Sequence, residues 1–223
     1  MSYSLSYINF KTVSDPKAFL AECDARYQAR VAEAAEKIIA NKSSSPIVLL
    51  SGPSGSGKTT TAMKIAEALA EMGIRSQSLS MDNYYKTYNP RTSPKTPDGK
   101  DDLESPACPD LDLLGEHLLD LAAGREIHQP IYNFATRIQA GPIGKAMRLG
   151  EHEVVVCEGI HALNDEIARH CPEAFRLYIS ARSNVVDEDG KVIFKGTWMR
   201  LMRRTVRDYL FRGTEARFIY FKI

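Results

Sequence analysis

No stretch of this chain stays apolar for the ~20 residues that cross a bilayer, so a membrane-spanning protein is not expected. The N-terminus, MSYSLSYINFK, lacks a basic segment followed by an apolar one. No secretory signal is therefore expected, and the cytoplasm is the expected compartment. Cysteine is scarce: Cys23, Cys108, Cys157 and Cys171 form no C-x-x-C pair, which argues against a zinc site and against a disulfide framework. Cys157 lies within an apolar run, where a thiol behaves as a small hydrophobe. The five histidines form no H-E-x-x-H, so a zinc hydrolase is unsupported. Neither sign of charge is in excess, the net being +1 from 29 basic and 28 acidic residues. That balance argues against a chain-wide nucleic-acid surface and leaves room only for local basic patches.

What is present points to nucleotide chemistry. Gly52, Pro53, Ser54, Gly55, Ser56, Gly57, Lys58 and Thr59 match the phosphate-binding loop G-x-x-x-x-G-K-[ST] at every fixed position, and Thr60 follows. The apolar run Ile47 to Leu50 precedes it as a buried strand, and Thr60 to Met72 reads as a helix after it. Polyphosphate calls for backbone N–H groups that converge, and glycines let the chain curl that tightly. The new helix adds its positive end, Lys58 suits the β- and γ-phosphates, and the Thr59 hydroxyl suits magnesium.

Elsewhere, Ser14-Asp15-Pro16 reads as a helix start, and no Gly or Pro interrupts the chain until Asn41. Leu20, Cys23, Tyr27, Val31, Ala34 and Ile38 recur at three- and four-residue spacing, a stripe that must pack on something: the body of the protein, a second copy or another domain. Residues 1–46 thus read as an N-terminal helical segment with a linker, and 47–223 as a phosphate-loop domain. Arg75 to Met81 reads as a strand ending at Asp82, and Asn83 to Pro109, with five prolines, as a long loop over the site. Asp110 caps a helix carrying Leu111, Leu114, Leu118 and Leu121 with Gly124 as its stop. Between Pro130 and Pro142 a protruding hairpin is expected. Glu153 to Cys157 reads as a buried strand ending in Glu158 and Gly159, Asp165 to His170 as a short helix, and Phe175 to Ser180 as a further strand. Asp187 to Gly190 is a turn, and Trp198 to Phe211 a helix. This alternation predicts an α/β fold, a parallel sheet with helices on both faces.

Carboxylates at strand ends beside a phosphate loop suit magnesium-dependent phosphoryl transfer, which makes Asp82 and Glu158 candidates. Arg200, Arg203, Arg204 and Arg207 share one face of the last helix, and Arg212 follows. Such a stripe serves as a phosphate lid, as a nucleic-acid patch or as a solvated face.

With GPSGSGKTT, SMDNYYK at Ser80 to Lys86, CEGIHAL at Cys157 to Leu163 and RLMRRTVRDYLFRG at Arg200 to Gly213, the chain resembles the uridine kinase and phosphoribulokinase group of P-loop kinases from Ile47 to Ala216. The resemblance implies ATP as donor with Mg2+, Lys58 and Thr59 at the phosphates and the metal, Asp82 as base and metal neighbour, and Glu158 completing the metal site. It implies Arg204, Arg207 and Arg212 as lid arginines, Tyr85 on the acceptor side and Tyr132 against a nucleoside base. Two departures concern the acceptor. Glu104, in Leu103 to Asp110, stands where an acid holding ribose hydroxyls is expected, and Arg137 stands in place of a hairpin histidine. The resemblance implies a small nucleoside-like acceptor, with another hydroxyl metabolite, or a regulatory protein without turnover, as alternatives. A guanine-specific switch is not supported, because Asn41-Lys42-Ser43-Ser44 lacks the aspartate of N-K-x-D and precedes the loop.

Overall fold

The computed structural model describes residues 2–141, 144–180 and 183–212, with side chains as far as Leu210. In chain order its elements are β1 (Ser2–Ser4), α1 (Leu5–Ser14), α2 (Pro16–Asn41), β2 (Ile47–Ser51), α3 (Lys58–Glu71) and β3 (Arg75–Ser80). A 3-10 turn (Met81–Tyr84) precedes α4 (Leu111–Ala122). Then come β4 (Ile127–His128), β5 (Ile131–Asn133), β6 (Ile138–Ala140), β7 (Ala146–Met147), β8 (Glu153–Gly159), α5 (Asp165–His170) and β9 (Phe175–Tyr178). The last are β10 (Asn184–Val186), β11 (Val192–Phe194) and α6 (Gly196–Arg212). Two compact units share these elements. One comprises 34–51 and 59–178, and the other the described residues up to 33, 52–58 and from 179 on.

The first unit is built on a parallel sheet of order β3-β8-β2-β9. Its inner strands are apolar and buried at 47–50 and 154–157 because both faces are covered, which is the usual fate of parallel strands joined by helices. On one face Ile47, Leu49, Leu79, Val155 and Cys157 join Leu111, Leu114, Leu118 and Leu121 of α4 and Ile167 of α5 in one core. Val48, Leu50, Val154 and Val156 alternate with them and are buried too, as are Ala35 and Ile38 of α2 and Ala62, Ile65 and Leu69 of α3. The α4 stripe came out as its spacing predicts. Asp110 accepts from Leu113 N at 3.3 Å, and Gly124 ends the helix region at φ +69°. Truncating one fully buried leucine, Leu114 or Leu118, to alanine would cost about 2–5 kcal/mol. Beyond α4, β5 pairs with β6 and β4 with β7, both antiparallel, so the expected hairpin is present on a two-rung base.

The second unit holds a three-stranded sheet, β1-β10-β11, in which β1 runs parallel to β10. Strands of three residues carry no periodic signal, so these were not expected. Neither was α1, whose Tyr7 ring meets Phe19 edge-on at 6.1 Å while Lys11 pairs with Glu22 at 2.9 Å.

Two expectations need correcting. The α2 stripe is buried at Val31 and Ile38 and half-buried at Ala34, whereas Leu20, Cys23 and Tyr27 are exposed. Ion pairing such as Glu22 with Arg26 at 2.8 Å, rather than burial, supports that half of the helix. The strand expected to end at Asp82 stops at Ser80, and the chain turns there because Ser80 Oγ accepts from Asp82 N.

Candidate active site

The phosphate loop, Gly52–Lys58, lies in the second unit with α6. Gly55 and Gly57 hold φ of +79° and +99°, values that a Cβ disfavours. A Cβ on Gly52 would stand 2.6 Å from Ile179 O and 2.9 Å from Ser56 Oγ, so the loop can close only on glycine. Ser56 N donates to Pro53 O at 3.1 Å, while Ser56 Oγ is buried with no hydrogen-bond partner among the described residues. A buried hydroxyl left without a partner is costly unless a ligand supplies one. With positive-φ glycines and a helix start at Lys58, it fits phosphate oxygens. Thr59 and Thr60 follow in the first turn of α3, both exposed.

The arginines of α6 pack onto this loop. Ideal Cβ positions on Gly55 and Gly57 lie 3.2 Å from Arg204 Cβ and 3.3 Å from Arg203 Nη2, and Gly55 is equally close to Arg200 O. Arg207 Nη2 donates to Ser54 Oγ at 3.2 Å. Asp208, 6% exposed, accepts from Arg207 Nε at 2.8 Å and pairs with Arg204 Nε at 3.5 Å. This carboxylate sets the two guanidiniums side by side. Of the alternatives for the stripe, a fully solvated face is excluded, because Arg204 is 8% exposed. The side chain of Arg212 lies outside the described residues.

Asp82 and Glu158 belong to the first unit. Ser80 and Glu158 are paired in register, as are Ser51 and Gly159, so both carboxylates leave the sheet at its carboxyl edge. Each is half-buried. The turn bearing Asp82 is anchored by Tyr84, fully buried, whose hydroxyl meets His117 Nδ1 at 2.9 Å and whose carbonyl accepts from Asp110 N at 2.8 Å. A Cβ on Gly159 would stand 2.6 Å from Met81 Sδ, which explains the glycine after Glu158: it lets the turn pack flat on the strand. Among the described residues no three His, Cys, Asp or Glu side chains cluster as a metal site.

In the same unit Tyr85, Tyr132 and Phe134 form an aromatic triad, with centroids 5.5, 5.8 and 4.8 Å apart. Burial, and then Asp82, push the Tyr85 phenol well above its ordinary range, so it is a donor and not an anion. Tyr85 and Tyr132 line a cavity of about 100 Å³ together with Tyr88, Asp102 and Cys108. Two expected acceptor contacts sit elsewhere. Glu104 is exposed and does not line the cavity, its carbonyl bonding His161 Nε2 at 2.8 Å. Arg137 pairs with Asp101 at 2.8 Å and lies over the Tyr88 ring at 4.8 Å. Asp102, Tyr88 and Cys108 were missed because they fall in a stretch without periodicity. Asp208 was visible only as a letter of the arginine motif.

The model of the phosphoribulokinase / uridine kinase family matches residues 47–220. A uridine kinase of Schizosaccharomyces pombe is 32% identical over 166 residues, 74% of this chain but 32% of that protein. The uridine-cytidine kinase 2-B of Danio rerio is 29% identical over 174 residues, 76% of this chain and 60% of that one. The chain thus spans about a third of the first relative and three fifths of the second. Among solved structures, a possible uridine kinase from Bacillus stearothermophilus shares 24% identity over 59% of this chain and 68% of its own, with a TM-score of 0.47. No helix among the described residues is long and apolar enough to cross a membrane. With its phosphate loop, its arginine helix and a family match over most of its length, the chain belongs to the phosphoribulokinase / uridine kinase family.

Proposed function

We propose that this chain transfers the γ-phosphoryl of ATP to a hydroxyl of a nucleoside-like acceptor, with uridine and cytidine the first to test. The observation that carries this reading is the packing of α6 on the phosphate loop. The guanidiniums of Arg207 beside Ser54 and of Arg203 beside Gly57 suit the charge that builds on a phosphoryl group in flight. Magnesium bound with ATP would supply positive charge that offsets the charge of the phosphates. Thr59, Asp82 and Glu158 would hold it, offering the hydroxyl and carboxylate oxygens that such a hard cation accepts. Lys58 would hold the β- and γ-phosphates. Asp82 would take the proton of the attacking hydroxyl, with Tyr85 donating a hydrogen bond beside it.

The acceptor half favours a neutral molecule. Arg137 already has its countercharge in Asp101, so no phosphate or carboxylate on the acceptor is required there. Tyr132 offers a flat ring to a base, and the carboxylate of Asp102, which lines the cavity, is suited to a diol. The test is ATP turnover with uridine, cytidine and a sugar phosphate as acceptors. Product that depends on the nucleoside supports the proposal. Preference for the sugar phosphate, or ATP consumption independent of any acceptor, would overturn it.

A further inference from the structure

The walls of the acceptor cavity come from three separate pieces of chain. Tyr88, Thr92, Ser93 and Pro94 form one arm of the long loop, Asp102 to Cys108 the other, and Tyr132 of the β5–β6 hairpin the floor with Tyr85. One carboxylate touches all three pieces, and it does not line the cavity. Asp101 Oδ1 accepts from the Tyr88 hydroxyl at 2.7 Å and pairs with Lys95 of the first arm. Its Oδ2 accepts from Arg137 Nη1 of the hairpin at 2.8 Å, and Asp101 itself begins the second arm. Backbone bonds run the same way: Tyr88 N to Arg137 O at 2.9 Å, and Asp102 N to Pro94 O at 3.0 Å. Arg137 reaches this position with φ +57°, a left-handed conformation costing about 1 kcal/mol, which persists where neighbours hold it.

We propose that Asp101 is a positioning residue for the acceptor: it clasps the loop to the hairpin and so sets the shape of the cavity, with Arg137 as its counter-ion in place of a substrate contact. Its carboxyl is held well below the ordinary carboxylate range, chiefly by the hydrogen bond from Lys95 and then those from Tyr88 and Arg137. The clasp is therefore charged throughout the working pH range. A carboxylate on one loop arm that receives two donors from the other arm and one from the hairpin is a hub, and its removal frees all three pieces together. The consequence falls on the acceptor and not on ATP.

Cys108 gives a readout that needs no activity. It lines the cavity, half-buried, with Sγ donating to Asp102 O at 3.2 Å, whereas Cys157 and Cys171 are buried and Cys23 is exposed. In a Cys23→Ser background, Asp101→Ala should speed labelling of Cys108 by a thiol reagent about tenfold, and Asp101→Glu should recover part of the protection. As far as it concerns substrate, the proposal rests on the kinase reading. There Asp101→Ala should raise the acceptor KM about tenfold while the ATP KM and kcat stay within about twofold. Arg137→Ala should add little to it in the double variant. Faster labelling in a protein that phosphorylates no nucleoside would retain the clasp and reject only the acceptor class. Labelling within twofold of the parent would overturn the clasp, and so would an equal rise in both KM values.

Discussion

Gly55 of the phosphate loop packs so closely on Arg204 of α6 that a Cβ on the glycine would fall 3.2 Å from Arg204 Cβ, tighter than ordinary van der Waals contact, at a φ of +79°. The loop and the arginine helix are thus fitted to each other as well as to a ligand. Gly55→Ala must either move α6 or leave the left-handed region, at a cost of about 1–2 kcal/mol. The expected outcome is ATP affinity lowered by roughly tenfold, read by titration calorimetry, with the thermal transition shifted by only a few degrees.

Asp208 is the anion between Arg204 and Arg207. Asp208→Asn keeps its shape and removes its charge, leaving the buried Arg204 and the half-buried Arg207 side by side without the anion between them. Breaking a buried pair in this way costs about 3 kcal/mol. Thermal denaturation should show the loss, and turnover should fall more than ATP binding, because misdirected arginines matter most when charge peaks. A variant with unchanged stability and rate would show that Asp208 does not organise the arginines.

Asp82→Asn should leave ATP affinity within several-fold while cutting the chemical step by on the order of 10²-fold or more, since the amide can act neither as a base nor as an anionic ligand. Nucleotide binding measured beside the single-turnover rate decides the role. If the two fall together, Asp82 is mainly a metal ligand.

Tyr132→Ala should raise the acceptor KM by roughly tenfold and leave the ATP KM little changed. The companion comparison is Glu104→Gln against Asp102→Asn. Asp102 lines the cavity and Glu104 does not, so the larger rise in acceptor KM is expected at Asp102. The opposite order would restore Glu104 to the position that the family pattern assigns it.

The elements that could be read from residues alone are those whose periodicity or capping is local. Leu111, Leu114, Leu118 and Leu121 fell on the buried face of α4, and Asp165–His170 is a helix with the expected bounds. The phosphate loop was legible because its spacing is dictated by phosphate chemistry. The partners of the arginines were not, since a helix face says what is presented and not what lies opposite; Gly55 and Ser54 are distant in sequence from Arg204 and Arg207. Nor was the clasp at Asp101, which depends on how an aperiodic loop folds back on a hairpin. There, Asp102 Oδ1 accepting from Glu104 N at 3.1 Å turns the chain, and Glu104 stays exposed while Asp102 lines the cavity.

The central claim is that this chain moves a phosphoryl group from its glycine loop to a small hydroxyl acceptor, and Lys58→Ala tests it most directly. Lys58 is the first residue of α3 and lies outside the buried apolar core, so the variant should keep its thermal transition within a few degrees of the parent. The measurement is single-turnover transfer from ATP to uridine under saturating nucleotide. A rate reduced by on the order of 10²-fold or more in a folded variant is the predicted result, because Lys58 would answer charge that grows on the transferring oxygens. A folded Lys58→Ala protein that phosphorylates the acceptor at nearly the parental rate would contradict the account.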